Sequence, residues 1–252
     1  MNDAHHPSSQ RRPTVLGFLG VLFSGRYVWL LSSLIGLMIV GPSFGSYPLF
    51  TSPNHTVYIS DLVNAGFLFI AIQTYHHHRA QYWSLIGLAV VSIALGVGAR
   101  VLGDEWLVWL GVPALFASGL ILVAIGLLIG TEVFTKTQVD GDAICGSISV
   151  YMLIGVIFAS GYSMILLANP EAFSISEKLR LDDPSLGPHR LLLDFSLVTL
   201  TTVGYGDITP VSDLARSLSN VEAILGQTYL TVLVARLVGK HLAKSLADEA
   251  TT

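Results

Sequence analysis

Thr201-Thr202-Val203-Gly204-Tyr205-Gly206-Asp207 is a run in which the backbone, more than the side chains, carries the chemistry. A dehydrated potassium ion needs a cage of weakly polar oxygens, and consecutive carbonyls supply one only when all point to a common axis. Alternating backbone handedness achieves that. A Cβ resists the left-handed regions, so Gly204 and Gly206 are the residues that let the chain take such a path at little cost. Thr202 adds a hydroxyl at the inner end, and Asp207 places a carboxylate at the outer one. Val203 and Tyr205 are expected to turn their side chains away from the axis and hold its diameter from behind.

These residues carry a family resemblance. Thr202 to Asp207 is similar to the selectivity signature of potassium channels, and Thr199 to Pro210 matches the wider pattern around it. The resemblance implies a selectivity filter at Thr202, Val203, Gly204, Tyr205 and Gly206, with permeant K+ held at Thr202, Val203, Gly204 and Tyr205 and with Thr201 and Asp207 flanking it. It also implies four copies of the chain around one axis. In many relatives an aromatic residue eight positions before the filter threonine hydrogen-bonds the aspartate after the filter; here that position is Asp194. Two carboxylates cannot make that bond while both are ionised, so Asp194 either points elsewhere or shares a proton with Asp207. Phe195 is left as the aromatic cuff beside Tyr205.

A filter of this kind must be positioned by helices. Pro188 to Thr201 is 14 residues, too short to cross a bilayer, and the filter behind it is not helical, so this segment is expected to re-enter the membrane. Pro188 suits the first helical turn, where its missing N–H costs nothing. The negative end of the helix dipole then faces a cation near Thr201. Non-helical backbone at membrane depth survives only inside protein or around a water-filled cavity, which four chains would provide. Residues 145–240 thus read as a pore domain of outer helix, turret, pore helix, filter and inner helix. On the inner helix, Gly226 stands where relatives have a hinge glycine; it reads equally as a packing glycine. By the same resemblance Gln227, Leu230, Val234 and Val238 form one stripe lining the inner cavity. Glu222 is expensive in a membrane helix unless it faces water or a partner, and reads as a structural hydrogen bond behind the filter or as a conduction group.

The rest of the chain is apolar enough to hold such a module. Hydrophobic residues make up 52% and charged residues 12% of the 252 positions, a balance rare in soluble domains. Six stretches approach or exceed the length of a spanning helix, at 27–44, 57–75, 83–102, 106–130, 145–168 and 213–239. The fold class expected is therefore an all-α membrane protein with six transmembrane helices, a re-entrant pore helix and a filter, assembled as a homotetramer in the lipid bilayer. Basic residues set its orientation. Arg11, Arg12, Arg26, Arg79, Lys136, Arg236, Lys240 and Lys244 fall on one side, against Arg100, Lys178, Arg180, Arg190 and Arg216 on the other. Both termini are thus expected in the cytoplasm and the filter mouth outside, in a plasma membrane, with a bacterial inner membrane fitting so compact a chain.

Residues 1–26 read as a cytoplasmic N-terminus without a secretory signal, with Thr14 to Gly25 an interfacial helix or an extension of the first span. Residues 27–134 read as a four-helix, sensor-like domain, and 241–252 as a short cytoplasmic tail with no soluble ligand-binding module. Asp61 and Asn64 share a face of the second helix, where Asp61 and Arg100 form a conceivable buried pair. His76-His77-His78-Arg79 reads as a solvated turn, Asp182 and Asp183 as a solvated acidic loop, and Asn54-His55-Thr56 as a glycosylation sequon on the outer side. Cys145 is alone, which excludes an intrachain disulfide, and no basic run suits nucleic acid. No nucleophile–base pair, metal cluster or phosphate loop is present to support an enzyme, so no catalytic residue and no cofactor is expected. A transporter of potassium would need four pore loops per chain, and this one has one.

A voltage sensor requires several gating charges within the field, each worth about 2.3 kcal/mol per 100 mV. Residues 106–130 contain no arginine or lysine. Conductance recorded across imposed potentials is therefore expected to change only weakly, and steep opening on depolarisation would contradict this.

Overall fold

The computed structural model describes residues 25–44, 48–52, 55–73, 79–102, 104–136, 140–176 and 188–250. Seven helices run through them: α1 (Arg26–Phe44), α2 (Ile59–Gln73), α3 (Arg79–Val101), α4 (Asp104–Thr135), α5 (Gly141–Ala168), α6 (Pro188–Leu200) and α7 (Asp213–Ala250). Two short antiparallel ribbons accompany them, β1 (Pro48–Ser52) with β2 (His55–Tyr58), and β3 (Phe173–Ile175) with β4 (Ile208–Pro210). The protein is thus predominantly helical, as expected, with strand pairing that the sequence reading did not anticipate.

Among the described residues, four helices are long and apolar enough to cross a membrane, over Tyr82–Ala99, Val108–Thr135, Gly141–Ala168 and Asp213–Lys240. The other two expected spans are shorter. The apolar part of α1 covers Tyr27–Ile39. The 15 residues of α2 rise only ~22 Å, less than the ~30 Å of a hydrocarbon core. All four tryptophans, Trp29, Trp83, Trp106 and Trp109, are exposed and lie within the first turns of α1, α3 and α4. Indole rings favour the headgroup level, so these helix ends carry the marks of a membrane boundary.

Helix boundaries follow local chemistry. Asp140 caps α5 by accepting from Ala143 N at 2.8 Å, so the helix begins at Gly141, ahead of its first long apolar run at 145. Asp142, in the first turn of α5, accepts from Tyr27 N at 2.9 Å and so serves as a cap for α1 from another helix. Gly25 leaves it room, since a Cβ there would lie 2.1 Å from the Asp142 carboxylate. Pro113 sits inside α4 without ending it. At the other end of the chain α7 continues to Ala250, so the segment from 241, read as a tail, continues the helix.

Helix α4 packs along α3 and α5, α1 packs on α2 and α5, and α6 lies against both α5 and α7. Two apolar cores result. One joins Tyr27, Leu30, Leu34, Phe67, Ile121, Ile125 and Leu153 from α1, α2, α4 and α5. The other, behind α6, is built from Tyr162, Phe173, Leu192, Phe195, Ile208 and Ala215. At the positively charged end, α7 is fastened to the last turn of α4. Arg236 Nη2 donates to Val133 O at 2.5 Å and to Lys136 O at 3.1 Å, and Lys240 donates to Lys136 O. These carbonyls have no partner within their own helix, and cations suit the negative end of its dipole. Lys136 in turn lies 3.8 Å from Asp140 and 4.0 Å from Asp142.

The side chains of Asp61, Asn64 and Arg100, the turn at His76 to His78, Asn54, Asp182 and Asp183, and residues 14–24 lie outside what is described. Among the described residues no group of histidine, cysteine and acidic side chains could hold a metal, and Cys145 is a buried free thiol.

A tight helix crossing lies at Gly146, where a Cβ would lie 2.8 Å from Val133 Cγ2 and 2.9 Å from Tyr27 Cδ2. Gly146→Leu is expected to overpack this three-helix junction at a cost of about 1–3 kcal/mol. A lowered melting temperature of the detergent-solubilised protein would show it, and unchanged melting would contradict it.

Candidate functional site

Helix α6 ends at Leu200, where the chain enters a tight turn. Thr201 N bonds Leu197 O at 3.0 Å, Thr202 N bonds Thr199 O at 2.9 Å, and Val203 N bonds Val198 O at 2.9 Å. The Thr201 hydroxyl returns to Leu197 O at 2.7 Å. Beyond this turn the backbone alternates: φ is 60° at Thr202, 60° at Gly204 and 78° at Gly206. Every second residue is left-handed, which is the alternation that turns successive carbonyls toward one side. Gly204 and Gly206 adopt this freely; Thr202, which carries a Cβ, does so at a cost that its surroundings must offset. The sequence indicated the two glycines and not the threonine.

Residues 201–207 are all exposed in the single chain, and Tyr205 is 74% exposed. Asp207 Oδ1 accepts from Ile208 N at 3.0 Å. The exit of the segment is held by the ribbon that sequence reading missed. Ser176 N donates to Asp207 O at 2.9 Å, Ile175 pairs with Ile208, and Val211 N donates to Ala172 O at 2.8 Å. A short Phe-Ser-Ile run and an Ile-Thr-Pro run, both rich in β-formers, were the available signal.

The remaining candidate residues separate into two sets. Phe195 is buried with Tyr162 at 5.1 Å and Phe173 at 5.5 Å between ring centroids. In the single chain it packs on Tyr162 of α5 and Phe173 of β3. Asp194 is exposed on α6. On α7, Gln227, Val234 and Val238 are exposed and Leu230 is partly so, leaving the proposed cavity stripe uncovered by its own chain. Gln227 Nε2 donates to Thr202 Oγ1 at 3.3 Å, which ties this stripe to the inner end of the filter segment.

Two inner-helix residues face the other way. Gly226 is buried against the end of α6, where a Cβ would lie 2.4 Å from Leu200 O. The same carbonyl accepts from Tyr151 Oη of α5 at 3.1 Å. Glu222 is fully buried and accepts from Tyr162 Oη at 2.6 Å, with Ser196 Oγ at its other oxygen. Of the two roles open to Glu222, the hydrogen bond behind the filter segment is the one its geometry displays.

Gly226 thus has a packing function whatever bending it also permits. Gly226→Ala is expected to cost about 1–3 kcal/mol by overpacking. Gly239→Ala, where a Cβ meets nothing within 4 Å, should melt as the wild type does. Equal melting of the two variants would contradict the packing assignment, whereas a glycine needed for bending alone would alter opening and leave melting unchanged.

Comparison with known proteins bears on this region directly. Residues 192–241, from the second turn of α6 through residues 201–207 and along α7, match a family model described as ion channel. No curated protein and no solved structure matches the chain. The match and the long apolar helices support an ion-channel function for a multi-pass membrane protein.

Proposed function

We propose that four copies of this chain assemble as a potassium-selective channel that conducts K+ passively through a central pore, without enzymatic activity and without voltage sensing. The observation that carries this reading is the alternation of positive φ at Thr202, Gly204 and Gly206 in a segment that one chain leaves uncovered. Low-dielectric surroundings do not tolerate exposed irregular backbone, so this segment belongs around a water-filled axis, and four copies would enclose one. The exposed stripe of Gln227, Val234 and Val238 continues the same surface.

In this reading Thr202, Val203, Gly204, Tyr205 and Gly206 form the filter, with K+ held by the first four, and Thr201, Asp207, Asp194 and Phe195 flank or support it. Helices α5, α6 and α7 make the pore domain. Helices α1 to α4 form a peripheral unit, and the shorter α1 and α2 are read as crossings that need their flanking residues to complete them. The exposed Trp29, Ile39 and Phe69 give those two helices a lipid-compatible face. The clustering of Lys136, Arg236 and Lys240 at one end supports a cytoplasmic location for that end under the positive-inside rule. In this reading both termini lie inside and the membrane is a plasma membrane.

Purified protein in planar bilayers tests the reading. Under a tenfold K+ gradient the current should reverse close to ~59 mV, the value for a monovalent permeant ion, and replacing K+ by Na+ on one side should displace the reversal strongly. Native mass spectrometry should give four copies. An intact tetramer that passes Na+ as readily as K+ would overturn the potassium assignment.

A further inference from the structure

The conduction path described above makes no use of the carboxyl of Glu222, yet that carboxyl joins three helices. It has no exposed surface. Its Oε2 meets Tyr162 Oη of α5 at 2.6 Å, its Oε1 meets Ser196 Oγ of α6, and Ser196 Oγ also lies 2.7 Å from Gly155 O of α5. Each of these three oxygen–oxygen contacts requires one hydrogen. Tyr162 and Ser196 own one apiece, and a backbone carbonyl owns none. A neutral Glu222 supplies the third. With the carboxyl neutral, Tyr162 donates to Glu222, Glu222 donates to Ser196, and Ser196 donates to Gly155. Every contact is then filled, and no unpaired charge is buried.

The placement of this chain of bonds gives it a task. Ser196 and Leu200 lie four residues apart on α6, and Glu222 and Gly226 lie four apart on α7, so each pair shares one helix face. Glu222 meets Ser196, and one turn later Gly226 meets the Leu200 carbonyl. The next residue, Gln227, reaches the Thr202 hydroxyl. The inner helix therefore touches the pore helix at its middle, at its end, and at the first left-handed residue beyond it. Helix α5 closes the arrangement from behind through Tyr162, Gly155 and Tyr151.

We propose that Glu222 is a positioning residue of the ion path: as a neutral acid it pins the middle of α6 between α5 and α7, and thereby fixes the height and angle at which the backbone leaves Leu200 for Thr202 to Gly206. This rests on the reading of those residues as a potassium filter. Glu222 touches no permeant ion in this role. Its effect is exerted through Ser196 and the pore helix.

The test is the Na+ to K+ permeability ratio of purified channels in bilayers, with tetramer content checked by size exclusion. In Glu222→Gln the amide donates to Ser196 and its carbonyl accepts from Tyr162, so the ratio should stay within about twofold of wild type. Glu222→Leu keeps the volume and removes both bonds, and Tyr162→Phe removes one hydroxyl. These should raise the ratio by about tenfold and severalfold respectively, the scale of lost buried hydrogen bonds. Glu222→Leu tetramers with the wild-type ratio overturn the inference, as does a Glu222→Gln variant as unselective as Glu222→Leu. Should Glu222→Leu fail to assemble, Tyr162→Phe decides, and an unchanged ratio there overturns it. A wild type that does not discriminate K+ from Na+ would overturn the filter reading together with this inference, whereas unchanged variants of a selective wild type overturn the inference alone.

Discussion

Backbone polar groups that no helix satisfies have to find partners elsewhere, and in a chain built largely of apolar helices this constraint falls on one short segment. Residues 201–207 leave helical geometry at Leu200 and do not regain it until Asp213. Their amides are drawn inward, Thr202, Val203 and Gly204 donating back to the last turn of α6. The structure around the segment serves that geometry. Helix α6 supplies the acceptors, the β3–β4 ribbon anchors the far end, and α7 presses a glycine and a carboxyl against the near end. Both α7 and the segment itself carry apolar side chains that their own chain leaves exposed.

Much of this was legible in the residues, for reasons that differ by position. Gly204 and Gly206 were legible because glycine is the type that takes positive φ freely, so its identity predicts its backbone. Thr202 was not, because a β-branched residue enters that region only under tertiary constraint, here including the contact from Gln227. Helix α6 was legible from its length and its opening proline. The ribbon was not, since three-residue strands carry almost no periodicity and their partners are far apart in the chain. Among the described residues four helices meet the length criterion against six expected spans, because apolar runs at 27–44 and 57–75 do not reveal where a helix starts or stops. In α2 the start shifts to Ile59, after a strand.

Gly226 and Glu222 illustrate a further limit of a linear reading. Both were visible as residues that need an explanation in a membrane helix: one because it lacks a side chain, the other because it has a costly one. Their explanations lie on other helices. A glycine set against a carbonyl oxygen and a glycine left free to bend have the same letter in the sequence, and what separates them is that a Cβ on Gly226 would lie 2.4 Å from Leu200 O. A buried carboxyl likewise identifies itself by its cost and not by its partners, Tyr162 and Ser196.

The bonds from Arg236 and Lys240 to the carbonyls of Val133 and Lys136 bear on the peripheral helices. They use the free end of α4 as an attachment point for α7, and Lys136 and Asp142 extend the attachment to the start of α5 and of α1. The guanidinium also lies 4.9 Å from the Phe134 ring. Helix α7 is consequently not free along its second half. The side chains of Arg236 and Lys240 tether it to carbonyls at the end of α4, so a displacement of either helix along its axis is resisted by the other.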